Sequence, residues 1–348
     1  MITYSVFIIF IAILLIANSY IKTTFNLFAL LAIISIIFFV GFRFETGYDW
    51  AMYKSFFEND YFHGSIEFGY VYLIKALRAF FDNFQSLFFA TAFLTYVFLF
   101  LGIKKYTTHI GIALFIFLLI PGFFLNTLTI MRQELAISIA LYAFYFLLQR
   151  RFIPYLVLMF LAFSAHYSVL IVLVAHIIIW KFADKLSVKS YYWLIILSIP
   201  FTLVDIGSIM PVLFSGSRYE FYESGESVSL IKTVVLNGLA LFYLYYTPKL
   251  KARNELNVYV IAMFVAGIVF TNVFSSVIAL SRIGYYFRLY EIILVAELIF
   301  IFSKQSRLIV LASLTFFYSA LFYNALVVDM AETRTENNLI PYKNIFTD

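Results

Sequence analysis

Long runs of apolar residues, broken by short polar stretches, dominate the chain. A bilayer core about 30 Å thick needs roughly 20 apolar residues of helix. Runs that meet or approach this length predict helical spans near 2–20, 24–42, 84–103, 110–127, 129–149, 190–204, 229–247, 256–274, 283–302 and 308–327. The first is expected to be a retained span rather than a cleaved leader, because it lacks a basic start and a second span follows almost at once. Glu67–Phe81 carries Lys75 and Arg78 on an amphipathic pattern and is expected at the membrane interface.

Phe152–Trp180 is different. Its 29 residues exceed one upright span and fall short of two ordinary ones, and Ser164, His166, Tyr167 and Ser168 sit at its centre. One steeply tilted helix and two short helices meeting at His166 both fit its length. Charge favours the second reading. Arg150 and Arg151 precede the run, and Lys181, Lys185 and Lys189 follow it, so both ends are expected on the cytoplasmic side. A broken or re-entrant pair of this kind needs protein or water to cover its exposed backbone.

With that choice the topology closes. The inner loops hold 13 of the 24 Lys and Arg and three of the 19 acids, which is the positive-inside pattern. Loops 43–83 and 205–228 then face outward, as does the tail from 328. The expected fold is all-α: a single polytopic membrane domain over 1–348, with about 10–12 transmembrane helices including the broken pair around residue 166.

Composition narrows the function. Hydrophobic residues make up 64% of the chain and charged residues 12%, which excludes a soluble multi-domain enzyme and a disordered protein. The net charge of +5 is small and scattered, so no nucleic-acid surface is expected. The absence of Cys excludes disulfides, Cys-ligated zinc and iron–sulfur clusters. The four His show no metal-binding spacing, and no phosphate-loop or dinucleotide motif appears. No metal and no cofactor is expected.

Polar side chains gather at the outer ends of the spans, where ionisable groups are candidates for function. Arg43, Arg132, Arg218, Arg282 and Arg288 contradict the positive-inside rule locally, and an anion at the outer face explains them. Asp49 follows Gly47 and is either a helix N-cap or a carboxylate beside a sugar pocket, with Tyr48, Trp50 and Tyr53 offering flat faces to a sugar ring. Arg132 opens a helix, where backbone N–H groups also favour an anion; its alternative is a snorkelling residue paired with Glu134 or a lipid phosphate. His166 is a proton-transfer group, a donor to phosphate, or a hydrogen-bonded core residue. Arg288 and Glu291 are i, i+3 neighbours, so a structural ion pair competes with any binding role of Arg288. Arg218 lies in an aromatic-rich loop that is either a binding loop or a solvated connection.

Gly47-Tyr-Asp49 with Tyr53, Glu67-Phe-Gly-Tyr70, Arg132-Gln133 with Ala136, Ala162 to His166-Tyr-Ser168, and Arg282 to Tyr286-Phe287 follow one another in an order that resembles the EpsG/Wzy family of bacterial polysaccharide polymerases. The resemblance runs from the second span to the next-to-last, and acidic Glu134 departs from it where a small or apolar residue is more usual. It implies a glycosyltransferase of GT-C-like, all-helical architecture in the bacterial cytoplasmic (inner) membrane. Such an enzyme moves a growing glycan of O-antigen, capsule or exopolysaccharide type from undecaprenyl diphosphate onto another undecaprenyl-diphosphate-linked repeat unit, without a metal. On that reading Asp49 is the first choice of base and His166 the second. Arg132 and Arg282 hold the diphosphate, with Arg43 and Arg288 secondary. Tyr48, Trp50, Tyr53, Glu67 and Arg218 meet the sugars. The expected partners are lipid-linked repeat units, membrane lipid, a chain-length regulator and a flippase, with no nucleic acid. A flippase for the same lipid-linked unit, a membrane acyltransferase acting on glycans with His166 as base, and a non-catalytic export subunit are the rivals.

Overall fold

A computed structural model describes residues 1–21, 27–59, 66–206, 230–331 and 337–346. The fold is all-α and polytopic. Along the chain run α1 (Ile2–Tyr20), α2 (Leu27–Gly41), the short strand β1 (Arg43–Phe44), α3 (Trp50–Asn59), α4 (Phe68–Arg78), α5 (Gln85–Tyr106), α6 (Ile110–Leu119), α7 (Pro121–Phe124), α8 (Met131–Leu148), α9 (Phe152–Ala165), α10 (Val169–Phe182) and α11 (Val188–Ser198). There follow α12 (Leu230–Tyr245), α13 (Thr247–Arg253), α14 (Asn257–Val273), α15 (Ile278–Ser281), α16 (Gly284–Arg288), α17 (Glu291–Ile299), α18 (Lys304–Ala331) and β2 (Lys343–Asn344). Among the described residues, α5, α8 and α18 are each long and apolar enough to cross a membrane, and the chain carries further apolar helices of 10–17 residues.

The apolar runs became helices much as their lengths predict, with two corrections. The run 110–127 is not one straight helix: α6 ends at Leu119, and the segment Pro121–Leu128 leaves it at 86°. Pro121 lacks an N–H and pushes Ile120 into an extended conformation, so the helix cannot continue through it. The run 283–302 divides into α16 and α17, with turns at Leu289 and Tyr290. The Phe152–Trp180 run forms the two short helices α9 and α10, and His166 caps α9 in an extended conformation.

The chain forms two compact units, Met1–Leu170 with Phe302–Asp348, and Ile171–Ile301. In the first, α8 is the enclosed helix, packed between α5 and α9. Ala136, Ala140 and Ala143 are buried, and Gly102 of α5 leaves room for Leu141, so backbones approach closely where no hydrophobic drive exists between helices in lipid. At one end of α8, Trp50, Tyr53, Tyr70, Phe88 and Met131 form a separate aromatic core that seats α3 and α4. By contrast α18 exposes Leu308, Ile309 and Phe316, as a lipid-facing helix does.

In the second unit, α14 packs on α11, α12, α16 and α17. Asn237 and Asn272 exchange amide hydrogen bonds at 3.1 and 2.8 Å, and Asn272 also donates to Ser198 Oγ at 2.8 Å. Buried amides satisfied in this way join three helices in lipid.

Candidate active site

The first unit brings most of the predicted residues to one end of α8. Gly47 has φ +100°, and a Cβ there would lie 1.8 Å from the carbonyl oxygen of Leu128. Only glycine lets the 43–49 loop lie flat against the chain just before α8. Gly69 does the same for α4: a Cβ would meet Ser164 Oγ at 2.3 Å. Thus α4 presses on the last turn of α9, next to the break at His166.

Those two approaches set up a chain of contacts. Arg132 is the second residue of α8. Its Nη1 donates to Glu67 Oε2 at 2.6 Å, and its Nε donates to the Tyr53 hydroxyl at 3.3 Å. The other oxygen of Glu67 accepts the backbone N–H of Tyr167 at 3.3 Å. One carboxylate therefore joins the guanidinium to the break between α9 and α10. Arg132 and Glu67 retain 15% and 8% side-chain exposure, so the pair is nearly dry and correspondingly strong. Burial pushes the Tyr53 phenol above its ordinary range, so it stays neutral and accepts from Arg132. Tyr70, also kept neutral by burial, bonds Thr91 Oγ1 at 3.0 Å and anchors α4 on α5.

His166 is ordered by its own turn. Ser168 N–H donates to His166 Nδ1 at 3.3 Å, and Ser168 Oγ lies 2.8 Å from the same atom. An accepting Nδ1 places the proton of the neutral ring on Nε2, a tautomer assigned from these bonds. Asp49 is half-buried, immediately precedes α3, and its charge reaches the Tyr53 phenol. Tyr53, Arg132, Glu67, Asp49 and His166 are thus held by a short stretch of each of four elements.

Several expected roles meet a different geometry. Trp50 is 4% exposed, stacked on Phe88 with Phe44 and Phe84 at its edges, so neither ring face is open to a sugar. Tyr53 is buried too and serves Arg132 instead. Tyr48 donates to Asp329 Oδ1 at 2.5 Å. Glu67, expected against sugar, is the partner of Arg132. Arg43 is fully enclosed: it donates to the carbonyls of Val40 and Thr46 at 2.8 and 3.2 Å and lies 4.6 Å over the Phe88 ring. Burial lowers its pKa to about 10, so it remains charged and locks the end of α2 to the loop. The departure at Glu134 does not neutralise Arg132. Glu134 is 1% exposed, accepts from Asn126, and leaves Arg132 to Glu67.

In the second unit Arg288 donates to Glu291 at 3.4 Å, the i, i+3 pair, and its Cγ lies where a Cβ on Gly267 would be 2.7 Å away. Arg282 is exposed, two residues before α16. Arg218 lies outside the described residues. Among the described residues no cluster of three or more His, Asp or Glu is arranged to hold a metal ion.

Asp329 is the polar residue that sequence reasoning passed over. It is 3% exposed in the last turn of α18 and accepts three hydrogen bonds. An acid closing a long apolar helix was the available signal.

Compared with known proteins, residues 26–344 match the EpsG family. The match includes α18 and the segment after it, farther than the motifs alone reach. Neither a curated protein nor a solved structure matches the chain.

Proposed function

The chain belongs to the EpsG family, a Wzy-like family of polysaccharide polymerases, and from that premise we propose that it transfers a glycan from undecaprenyl diphosphate onto a second lipid-linked repeat unit at the outer face of the bacterial cytoplasmic membrane. The observation that carries this reading is the Tyr53–Arg132–Glu67–Tyr167 chain, which holds a guanidinium at a helix N-terminus beside the broken helix pair.

Glycosyl transfer forms one bond and breaks another. The acceptor hydroxyl oxygen attacks the anomeric carbon, the bond from that carbon to the diphosphate oxygen breaks, and undecaprenyl diphosphate leaves as an anion. The acceptor proton passes to a base. Arg132 is suited to the leaving group: Nη1 and Nε are occupied, and among the described residues Nη2 carries no hydrogen bond, so one edge stays available to a phosphate oxygen. Glu67 and Tyr53 fix that edge before substrate arrives, so little reorganisation is needed. His166 with its proton on Nε2 serves as a second donor to the diphosphate, which leaves Asp49 as the base. Arg282, exposed two residues before α16 in the second unit, is by itself a proposed anion-binding guanidinium. A single inverting displacement is the simplest course.

A purified sample in liposomes, given lipid-linked repeat units, tests this. A polymerase gives a ladder of lengthened glycans and releases undecaprenyl diphosphate. Movement of units across the bilayer without lengthening would assign a flippase instead.

A further inference from the structure

Residues 337–346 form a strap over the loop that carries Asp49. β2 pairs antiparallel with β1, with Arg43 opposite Asn344 and Phe44 opposite Lys343. Lys343 N–H donates to Thr46 Oγ1 at 3.0 Å, and Lys343 Nζ meets Glu45 at 2.8 Å. Tyr342 stacks on Phe39 at 4.1 Å and donates to the Phe39 carbonyl at 2.6 Å.

Asp329 joins this strap to the loop. Its Oδ1 accepts the Tyr48 hydroxyl at 2.5 Å and Leu339 N–H at 3.3 Å, and its Oδ2 accepts Ile340 N–H at 3.2 Å. Among the described residues no Lys or Arg pairs with it. A carboxylate 3% exposed is costly to desolvate, and three donors aimed at it compensate that cost. The donors come from the loop and from the strap, while Asp329 belongs to the end of α18. The one side chain it holds on the loop is Tyr48, adjacent to Asp49.

We propose that Asp329 is a positioning residue for the acceptor side of the reaction: through Tyr48 it fixes the Gly47–Asp49 loop, sharing its carboxylate with the strap. The inference rests on the assignment of Asp49 as base. A loop left loose at Tyr48 would let the base wander from the acceptor hydroxyl while Arg132, held separately by Glu67 and Tyr53, keeps its place.

Hydrogen exchange read by mass spectrometry on the full chain in detergent, with initial rates of polymerisation, tests it in Tyr48→Phe and Asp329→Asn. Tyr48→Phe keeps the strap's bonds to Asp329 and should speed exchange at residues 44–49 only. Asp329→Asn turns an amide N–H₂ toward a donor and should also loosen residues 337–346. Both should lower kcat by roughly tenfold or more, because small misplacement of a reacting group is expensive, with KM for the lipid-linked unit little changed. If Asp329→Asn does not fold, Tyr48→Phe decides alone. Unchanged exchange at 44–49 in folded Tyr48→Phe overturns the clamp. Faster exchange there with full kcat overturns the positioning role. A wild-type protein that lengthens no glycan overturns the polymerase reading, while the exchange arm still decides the clamp.

Discussion

Glu67 and Arg132 stand 65 residues apart in the chain and meet at 2.6 Å, one from the start of α4 and the other from the first turn of α8. The same carboxylate also accepts Tyr167 N–H, so the pair is the hinge pin between the guanidinium and the break at His166. Removing either partner leaves a nearly buried charge uncompensated, whereas removing both leaves none.

That asymmetry gives the first prediction. Arg132→Ala and Glu67→Ala should each lower the thermal midpoint in detergent, and the double variant should lose less than the sum of the two. A coupling of about 1–3 kcal/mol is expected for such a contact. The check is a double-mutant cycle on thermal unfolding, and strictly additive losses would show that the pair is not coupled.

Arg43 and Arg132 should part company in activity. Arg43→Lys cannot reproduce the two carbonyl hydrogen bonds and the ring contact, so it should destabilise the protein by about 2–3 kcal/mol. Activity per folded molecule should stay close to wild type. A folded Arg43→Lys protein without activity would return this residue to the substrate.

Gly47→Ala should be worse than Gly69→Ala. The first meets backbone at 1.8 Å at a φ of +100°, the second meets the Ser164 side chain at 2.3 Å and the Ser164 carbonyl oxygen at 2.7 Å with no positive φ. Overpacking costs about 1–3 kcal/mol, and strain at positive φ adds to it. Midpoints from thermal unfolding order the two; equal midpoints would contradict the close approach at Leu128.

In the second unit, Arg288→Ala should destabilise, because Glu291 is 1% exposed and would lose its cation. Arg282→Ala, an exposed position, should leave stability within about 0.5 kcal/mol of wild type and lower polymer yield. Loss of stability in Arg282→Ala without loss of yield would reverse the two assignments.

The fold was largely legible because runs of apolar residues long enough for lipid have few alternatives to helix. His166 and its polar neighbours announced the break between α9 and α10, since a polar cluster at the centre of an apolar run needs cover. The bend at Pro121 was missed because hydropathy averages over a position whose effect is on the backbone. At the site, Arg132 was visible as a cation out of place, yet its partner was not: Glu134 is adjacent in sequence, and only tertiary packing of α4 against α9 delivers Glu67 instead. Trp50 and Tyr53 looked like sugar platforms because aromatic type does not reveal which faces are already covered. Asp329 gave no periodic signal, and its donors lie 281 residues earlier and 10 and 11 residues later.

If Arg132 receives the diphosphate of a lipid-linked sugar, glycan transfer must depend on its guanidinium. The most direct measurement is polymerisation by purified, folded Arg132→Gln in liposomes supplied with lipid-linked repeat units, beside wild type and Arg132→Lys. Loss of a donor aimed at a developing anion should cost about a hundredfold or more in Arg132→Gln, with partial activity in Arg132→Lys. A folded Arg132→Gln protein that builds the wild-type ladder at the wild-type rate would show that the diphosphate is not held by Arg132.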